Sequence, residues 1–151
     1  MAITYSTQAE KINAPQTYGV ANASEQGGRI KSNFFQHTCE SESTGSTIYL
    51  TKLPAGARVV NIRFACEDLG GTNGATLEFG DSSDTDRLVS AFDVSTAAIA
   101  MGNRVLRTPT TETPDIGFGY KYAADTWILA TTATQALNTG KFWGTVDYIV
   151  S

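Results

Sequence analysis

His37 and Cys39 stand two positions apart in FFQHTCE, so on a β-strand their side chains share one face. His37 is the only histidine of the chain. A His–His metal pair is therefore ruled out, and any Ser-His-Asp or Cys-His arrangement rests on this one imidazole. The competing reading is a satisfied strand histidine beside a core or edge cysteine, and the residue types favour it. Glu40 and Glu42 share a face as paired glycosidase carboxylates do, whereas the adjacent Glu67 and Asp68 point to opposite faces. Both pairs border turn residues and read as solvated strand ends. Asp81, Asp84 and Asp86 in FGDSSDTDRL form the densest set of oxygen ligands, the chemistry calcium prefers. Their spacing departs from a calcium loop with a distal Glu. Asp side chains also close turns by bonding the backbone two residues on, and Arg87 stands ready to neutralise part of the cluster.

Two cysteines, Cys39 and Cys66, form no CxxC pair and by themselves build neither a zinc site nor a disulfide framework. They are expected as reduced, partly buried small residues. The glycines of LGGTNG and ASEQGGR match neither a phosphate loop nor a dinucleotide fingerprint. Trp127, Trp143, Tyr120, Tyr122 and Tyr148 offer a platform for sugar rings, against the commoner use of strand aromatics in core and cross-strand packing. From these residues no catalytic, cofactor or metal site is expected, and the chain reads as a non-enzyme.

The elements that position these groups are short. At 151 residues the chain is the size of one domain that buries roughly 70% of its unfolded surface. Charged residues make up 17%, below the ordinary share of about 25%, and Ser and Thr are abundant. The net charge is -4 with no Lys/Arg cluster, which excludes the electrostatic footprint of a nucleic-acid binder. No apolar run approaches the ~20 residues of a membrane span, so no membrane partner is expected. MAITYSTQAEK lacks the charged start and apolar centre of a secretory signal, so synthesis and folding in the cytoplasm are expected.

Residues 1–28 show no sustained period of 2 or 3.6 and read as an extended N-terminal arm, with Ile3, Tyr5, Ile12, Tyr18 and Val20 as scattered apolar anchors. From residue 29 to 151 the pattern becomes short β-type runs between turn residues: RIKSNFFQHT, TIYLTKL, RVVNIRFAC, ATLEFG, DRLVSAFDV, NRVLRT, DIGFGYKY, TWILATTAT and KFWGTVDYIV, about nine strands. TIYLTKL and RVVNIRFAC flank a tight Pro-Ala-Gly turn and read as a hairpin. Within the second, Val60, Ile62, Phe64 and Cys66 share the buried face against Asn61, Arg63 and Ala65. Ile116, Phe118, Tyr120 and Tyr122 alternate in the same way. DVSTAAIAMGN, residues 93–103, is the one place where a short helical turn is expected. Strands spaced by about 8 to 14 residues, without long helices between them, predict an all-β antiparallel sandwich, jelly-roll-like, in a single domain behind the arm.

Three stretches, STIYLTKLPAGARVVNIRF, ATLEFGDSSDTDRLVSA and ADTWILATTATQALNTGKFWGTVDYIV, together resemble small virion structural proteins of tailed bacteriophages, a group that includes capsid decoration (cement) proteins. The resemblance covers roughly residues 29–150 and carries no functional residue position by position. It implies a structural protein on the outer capsid surface, with the major capsid protein as partner and a homo-oligomer, a trimer favoured. The arm then contacts capsid or a neighbouring subunit through Ile3, Tyr5, Ile12, Tyr18 and Val20. The alternative is a glycan-binding head-fibre or tail-associated adhesin using the aromatic strands or the Asp81–Asp86 loop.

Overall fold

The computed structural model describes residues 29–70, 74–96, 98–100 as backbone, 117 and 119–150. Eight strands lie in them: β1 (Lys31–Cys39), β2 (Thr47–Leu53), β3 (Ala57–Cys66), β4 (Thr76–Gly80), β5 (Val89–Asp93), β6 (Ala98–Ala100), β7 (Thr126–Thr132) and β8 (Gly140–Val150). They form two four-stranded sheets, one ordered β1-β8-β3-β6 and the other β2-β7-β4-β5. Every pairing between these strands is antiparallel. Strand 1 pairs with 8, 2 with 7, 3 with 6 and 4 with 5, as though one long hairpin had been folded over and wrapped. That order is a jelly roll. No helix among the described residues is long and apolar enough to cross a membrane.

Alternation builds the layers. Along β1, Phe35 and Cys39 are buried while Phe34, Gln36 and Thr38 are exposed, and along β8, Phe142, Gly144 and Val146 face inward. The two inner faces meet through aromatic rings. Phe79 of β4 reaches across the sandwich to Phe64 (5.1 Å between centroids, edge-on) and to Phe35 (6.5 Å). Phe64 in turn contacts Phe142 at 5.7 Å and Phe92 at 5.2 Å. Gly144 lies between Phe35 and Phe64 in the register, and a Cβ there would collide with the Arg63 carbonyl and the Phe35 ring. Its lack of a side chain is what lets two phenylalanines flank β8.

Several sequence expectations change. The Pro-Ala-Gly turn is no hairpin: β2 pairs with β7 and β3 with β8, so Pro54–Gly56 is a corner that carries the chain from one sheet to the other. Gly56 takes the left-handed conformation there (φ 83°), and its N–H donates to the Tyr122 carbonyl at 2.7 Å. Hydrogen bonds of distant strands, not the local turn, decided the pairing. A bulge between Val59 and Asn61 shifts the phase of β3, so that Val59, and not Val60, joins Ile62, Phe64 and Cys66 in the core. The helical turn expected within 93–103 is replaced at 98–100 by β6, which pairs with Phe64–Cys66. Backbone groups of β3 at that edge need partners, and this outweighs the weak helix preference of alanine.

DRLVSAFDV is strand only from Val89, because Asp81–Leu88 is a loop that folds back on β4. In DIGFGYKY the described part is irregular, with Gly117 and Gly119 left-handed and a single bridge between Lys121 and Arg58. Tyr122 is buried and Tyr120 half-buried, but Ile116 and Phe118 lie outside the described residues, as do NRVLRT and the arm with Ile3, Tyr5, Ile12, Tyr18 and Val20. The count is thus eight described strands where about nine were expected.

Phe79→Ala is expected to cost about 3–5 kcal/mol of unfolding free energy, and Phe92→Ala, at the half-buried margin of the cluster, distinctly less. Urea unfolding of both variants checks this. Equal losses would show that the sheets are not joined chiefly through Phe79.

Candidate interaction surfaces and polar clusters

The side chains singled out for chemistry are largely held by structural partners. Asp81 is 3% exposed. Its Oδ1 accepts from the Ser83 N–H (2.9 Å), the Ser83 hydroxyl (2.5 Å) and the Asp84 N–H (3.2 Å), while Oδ2 pairs with Arg87 Nε at 2.5 Å. Burial pushes the Asp81 carboxyl up, but the bonds from Ser83 and Arg87 outweigh it and hold its pKa below the usual range. Arg87 also lies 4.3 Å from the Tyr120 ring centroid, and its Nη1 stands 3.9 Å from Asp84. Turn closure and charge pairing thus use the oxygens that calcium would need.

Asp147 plays the same part on the outer face of the β1 sheet. It accepts from Ser32 Oγ (2.5 Å), Asn61 Nδ2 (2.9 Å) and Arg63 Nη2 (3.0 Å), tying β1, β8 and β3 side by side. Burial opposes ionisation of Asp147, and these three donors lower its pKa overall. The carboxylates of Glu40/Glu42 and Glu67/Asp68, read from the sequence as solvated strand ends, take separate partners. Glu67 accepts from the Lys141 N–H and Asp68 from the Gly70 N–H. Glu42 leaves Glu40 as a partner in chemistry and instead meets His37, whose Nε2 lies 2.7 Å from Glu42 Oε1.

Ser41, left-handed at φ 73°, turns the chain so that Glu42 comes back over β1. The other Glu42 oxygen accepts from the Glu40 N–H at 3.1 Å. Cys39 completes this group from the core side. Its thiol is pushed up to about 12, first by burial and then by the Glu42 charge, so it is no nucleophile. Cys39 and Cys66 are both buried thiols, not joined in a disulfide. They sit on strands that flank β8, opposite Gly140 and Phe142, so two strand spacings and a two-residue offset set them roughly 12 Å apart, too far for a disulfide.

The five aromatics weighed as a sugar platform against the commoner packing role do not share a surface. Tyr122 and Tyr148 are core residues, and Tyr120 packs on Tyr122. Trp143 lies on the outer face of the β1 sheet and Trp127 on that of the β2 sheet. Each tryptophan has an exposed aromatic companion that sequence reading missed: Tyr49 stands edge-on to Trp127 at 5.6 Å, and Phe34, 64% exposed, lines a shallow hollow of about 230 Å³ with Trp143, Arg63, Ala65 and Thr145. A signal for Phe34 was present. Phe34 and Phe35 are neighbours on a strand, so one of them had to face outward.

No protein-family model and no curated protein matches the chain. Solved structures do. Over 83% of its length the chain is similar to a chain of the cyanophage Pam1 capsid asymmetric unit, of which it covers 87%, with a TM-score of 0.65 and 21% identity. It is similar over 82% of its length to 86% of a chain in the capsid of Ralstonia phage GP4 (TM-score 0.62, 15% identity). A third likeness, to a chain in the acidic stable capsid structure of Helicobacter pylori bacteriophage KHP30, covers 81% of this chain and 92% of that one (TM-score 0.52, 12% identity). At these identities the likeness is one of fold.

Asp81→Asn is expected to cost on the order of 3 kcal/mol at pH 7, because it leaves a largely buried Arg87 without its carboxylate. The Asp81 pKa is lower folded than unfolded, so its contribution is fully present above the unfolded value of about 3.9 and is lost as pH falls through the folded value. Urea unfolding at pH 7 and again near pH 2.5 should show the gap between wild type and Asp81→Asn narrowing in acid. A gap that stayed constant would remove the ion pair as its cause.

Proposed function

We propose that this chain is a structural protein of a bacteriophage virion, a decoration (cement) protein that binds the outer capsid surface and stabilises the shell by bridging subunits. The observation that carries this reading is the eight-stranded jelly-roll order, shared in fold over four-fifths of the chain with chains from three phage capsid structures. The function is mechanical, not enzymatic. In support, the buried carboxylates Asp81 and Asp147 are locked in turn and strand ties, and the Cys39 thiol is held protonated.

Two features supply the contacts. Phe34 and Trp143 stand on one outer face beside Arg63, and large exposed aromatics with an adjacent arginine make the anchors of protein interfaces. Strand β1 is the outermost named strand of its sheet, so its outer backbone edge is open to an added strand among the described residues. Residues 1–28 precede that edge. In this reading they form the arm that lies along a neighbouring chain, with Ile3, Tyr5, Ile12, Tyr18 and Val20 in its pockets, and the protein works as a homo-oligomer, a trimer, on the major capsid protein.

Cryo-electron microscopy of the virion with this chain located is the direct test, and density inside the shell or in the tail would overturn the assignment. Against purified capsids, Phe34→Ala and Trp143→Ala are each expected to weaken binding about 30-fold, the effect of losing roughly 2 kcal/mol at an interface anchor. Deletion of residues 2–27 should weaken binding and capsid heat resistance further. A truncated protein that bound and stabilised capsids as well as the full chain would exclude the arm while leaving the aromatic face in place.

A further inference from the structure

We propose that His37, Cys39 and Glu42 form a binding site for a zinc-like divalent cation at the β1–β2 end of the sandwich. Their donor atoms, one imidazole nitrogen, one thiol sulfur and one carboxylate oxygen, all lie within 4.8 Å of one another. In a tetrahedral zinc centre the bonds run about 2.0–2.3 Å, which sets neighbouring donors roughly 3.3–3.8 Å apart. Small movements of side-chain tips bring the three atoms to that spacing. His37 and Glu42 have the freedom for it, at 31% and 18% side-chain exposure, while Cys39 is sealed from the core side. The fourth position therefore faces solvent and takes a water.

Donor chemistry selects the metal. A thiolate with an imidazole suits zinc and its transition-metal neighbours and disfavours calcium and magnesium, which take oxygen ligands. Without metal His37 and Glu42 are hydrogen-bonded to each other, and the Cys39 sulfur lies beside them. On binding, the Cys39 thiol gives its proton to solvent and its sulfur bonds the cation. The proton that His37 Nε2 shares with Glu42 is exchanged through solvent for one on Nδ1, which leaves the imidazole neutral and frees the Nε2 lone pair for the metal. Glu42 is already ionised and exchanges its bond from His37 for one to the cation. No electron is transferred. The Glu40 N–H, bonded to the second Glu42 oxygen, orients the carboxylate as an outer-shell donor does.

The site also sits where a clamp has structural effect. His37 and Cys39 belong to β1, whereas Glu42 belongs to the loop that crosses to β2 and is pinned to the other sheet. There Thr132 Oγ1 donates to the Ser43 carbonyl at 2.7 Å and accepts from the Ser46 N–H at 2.9 Å, and the Leu137 N–H bonds the Glu42 carbonyl at 2.8 Å. A bound cation would tie the edge strand of one sheet to the crossing that leads to the next.

The test titrates the reduced full-length protein with cobalt(II) and then zinc. Cobalt should give a near-ultraviolet sulfur-to-metal charge-transfer band and visible bands of a four-coordinate ion, saturating at a single equivalent and erased by zinc. Cys39→Ser should abolish the charge-transfer band, Glu42→Gln should weaken binding at least 10-fold, and Cys66→Ser should leave the band intact. Excess zinc should raise the unfolding midpoint by several degrees in wild type and not in Cys39→Ser. His37→Gln, at a half-exposed position, serves if Cys39→Ser does not fold, and it too must lose tight binding. Folded wild type without a thiolate band, or a band that follows Cys66 in place of Cys39, overturns the site.

Discussion

Phe79 is the side chain on which the two halves of the molecule lean. It projects from the middle strand pair of the β2 sheet into a nest of Phe35, Phe64 and Phe142 on the β1 sheet, and it is almost wholly shielded from water. The rings meet edge-on or tilted, the arrangements that the charge distribution of aromatic faces and edges favours. Space for this nest comes from Gly144, where any side chain would strike β3 and Phe35. One glycine and four phenylalanines thus set how closely the sheets approach.

Around that nest the chain makes almost no local pairings. β4 and β5 are the one sequence-adjacent pair that is hydrogen-bonded within a sheet among the described strands, and every other consecutive pair is split between the sheets. Such an architecture closes long loops before its ladders repay the lost entropy, so its stability rests on distant strands finding each other. The polar clusters serve the same end. Asp147 binds three neighbouring strands across the outer face, Asp81 folds the long β4–β5 loop back onto its own hairpin, and Thr132 fastens the first crossing. The Asp81 carboxylate, which looked available for chemistry, is committed to closing a loop.

What is left uncommitted lies on the surface. Phe34 with Trp143 on one face and Tyr49 with Trp127 on the other are large aromatic side chains kept in water. A sandwich core has no need of them there, since the inner faces are filled by Phe, Leu, Val and Ile at alternating positions. Exposed aromatics beside a strand edge at the rim of its sheet support the proposed role of covering a neighbour.

The sequence by itself determined the class and most of the strands. Period-2 alternation in RVVNIRFAC and KFWGTVDYIV, and turn residues at GDSSDTD, are local signals that need no partner to be read. It also marked Asp81 with Arg87 as a turn closure, because both act within six residues. Only the tertiary structure decided which strands pair. The Pro-Ala-Gly stretch looks the same whether it closes a hairpin or turns a corner between sheets, and the choice belongs to β7 and β8, whose partners for Leu53 and Ala57 are Thr126 and Val150. The bulge that exchanges Val60 for Val59 in the core, the strand state of Ala98–Ala100, and the meeting of Glu42 with His37 and Cys39 share that origin. Each depends on a backbone edge or a left-handed residue whose effect is felt across space, and spacing along a chain carries no record of it.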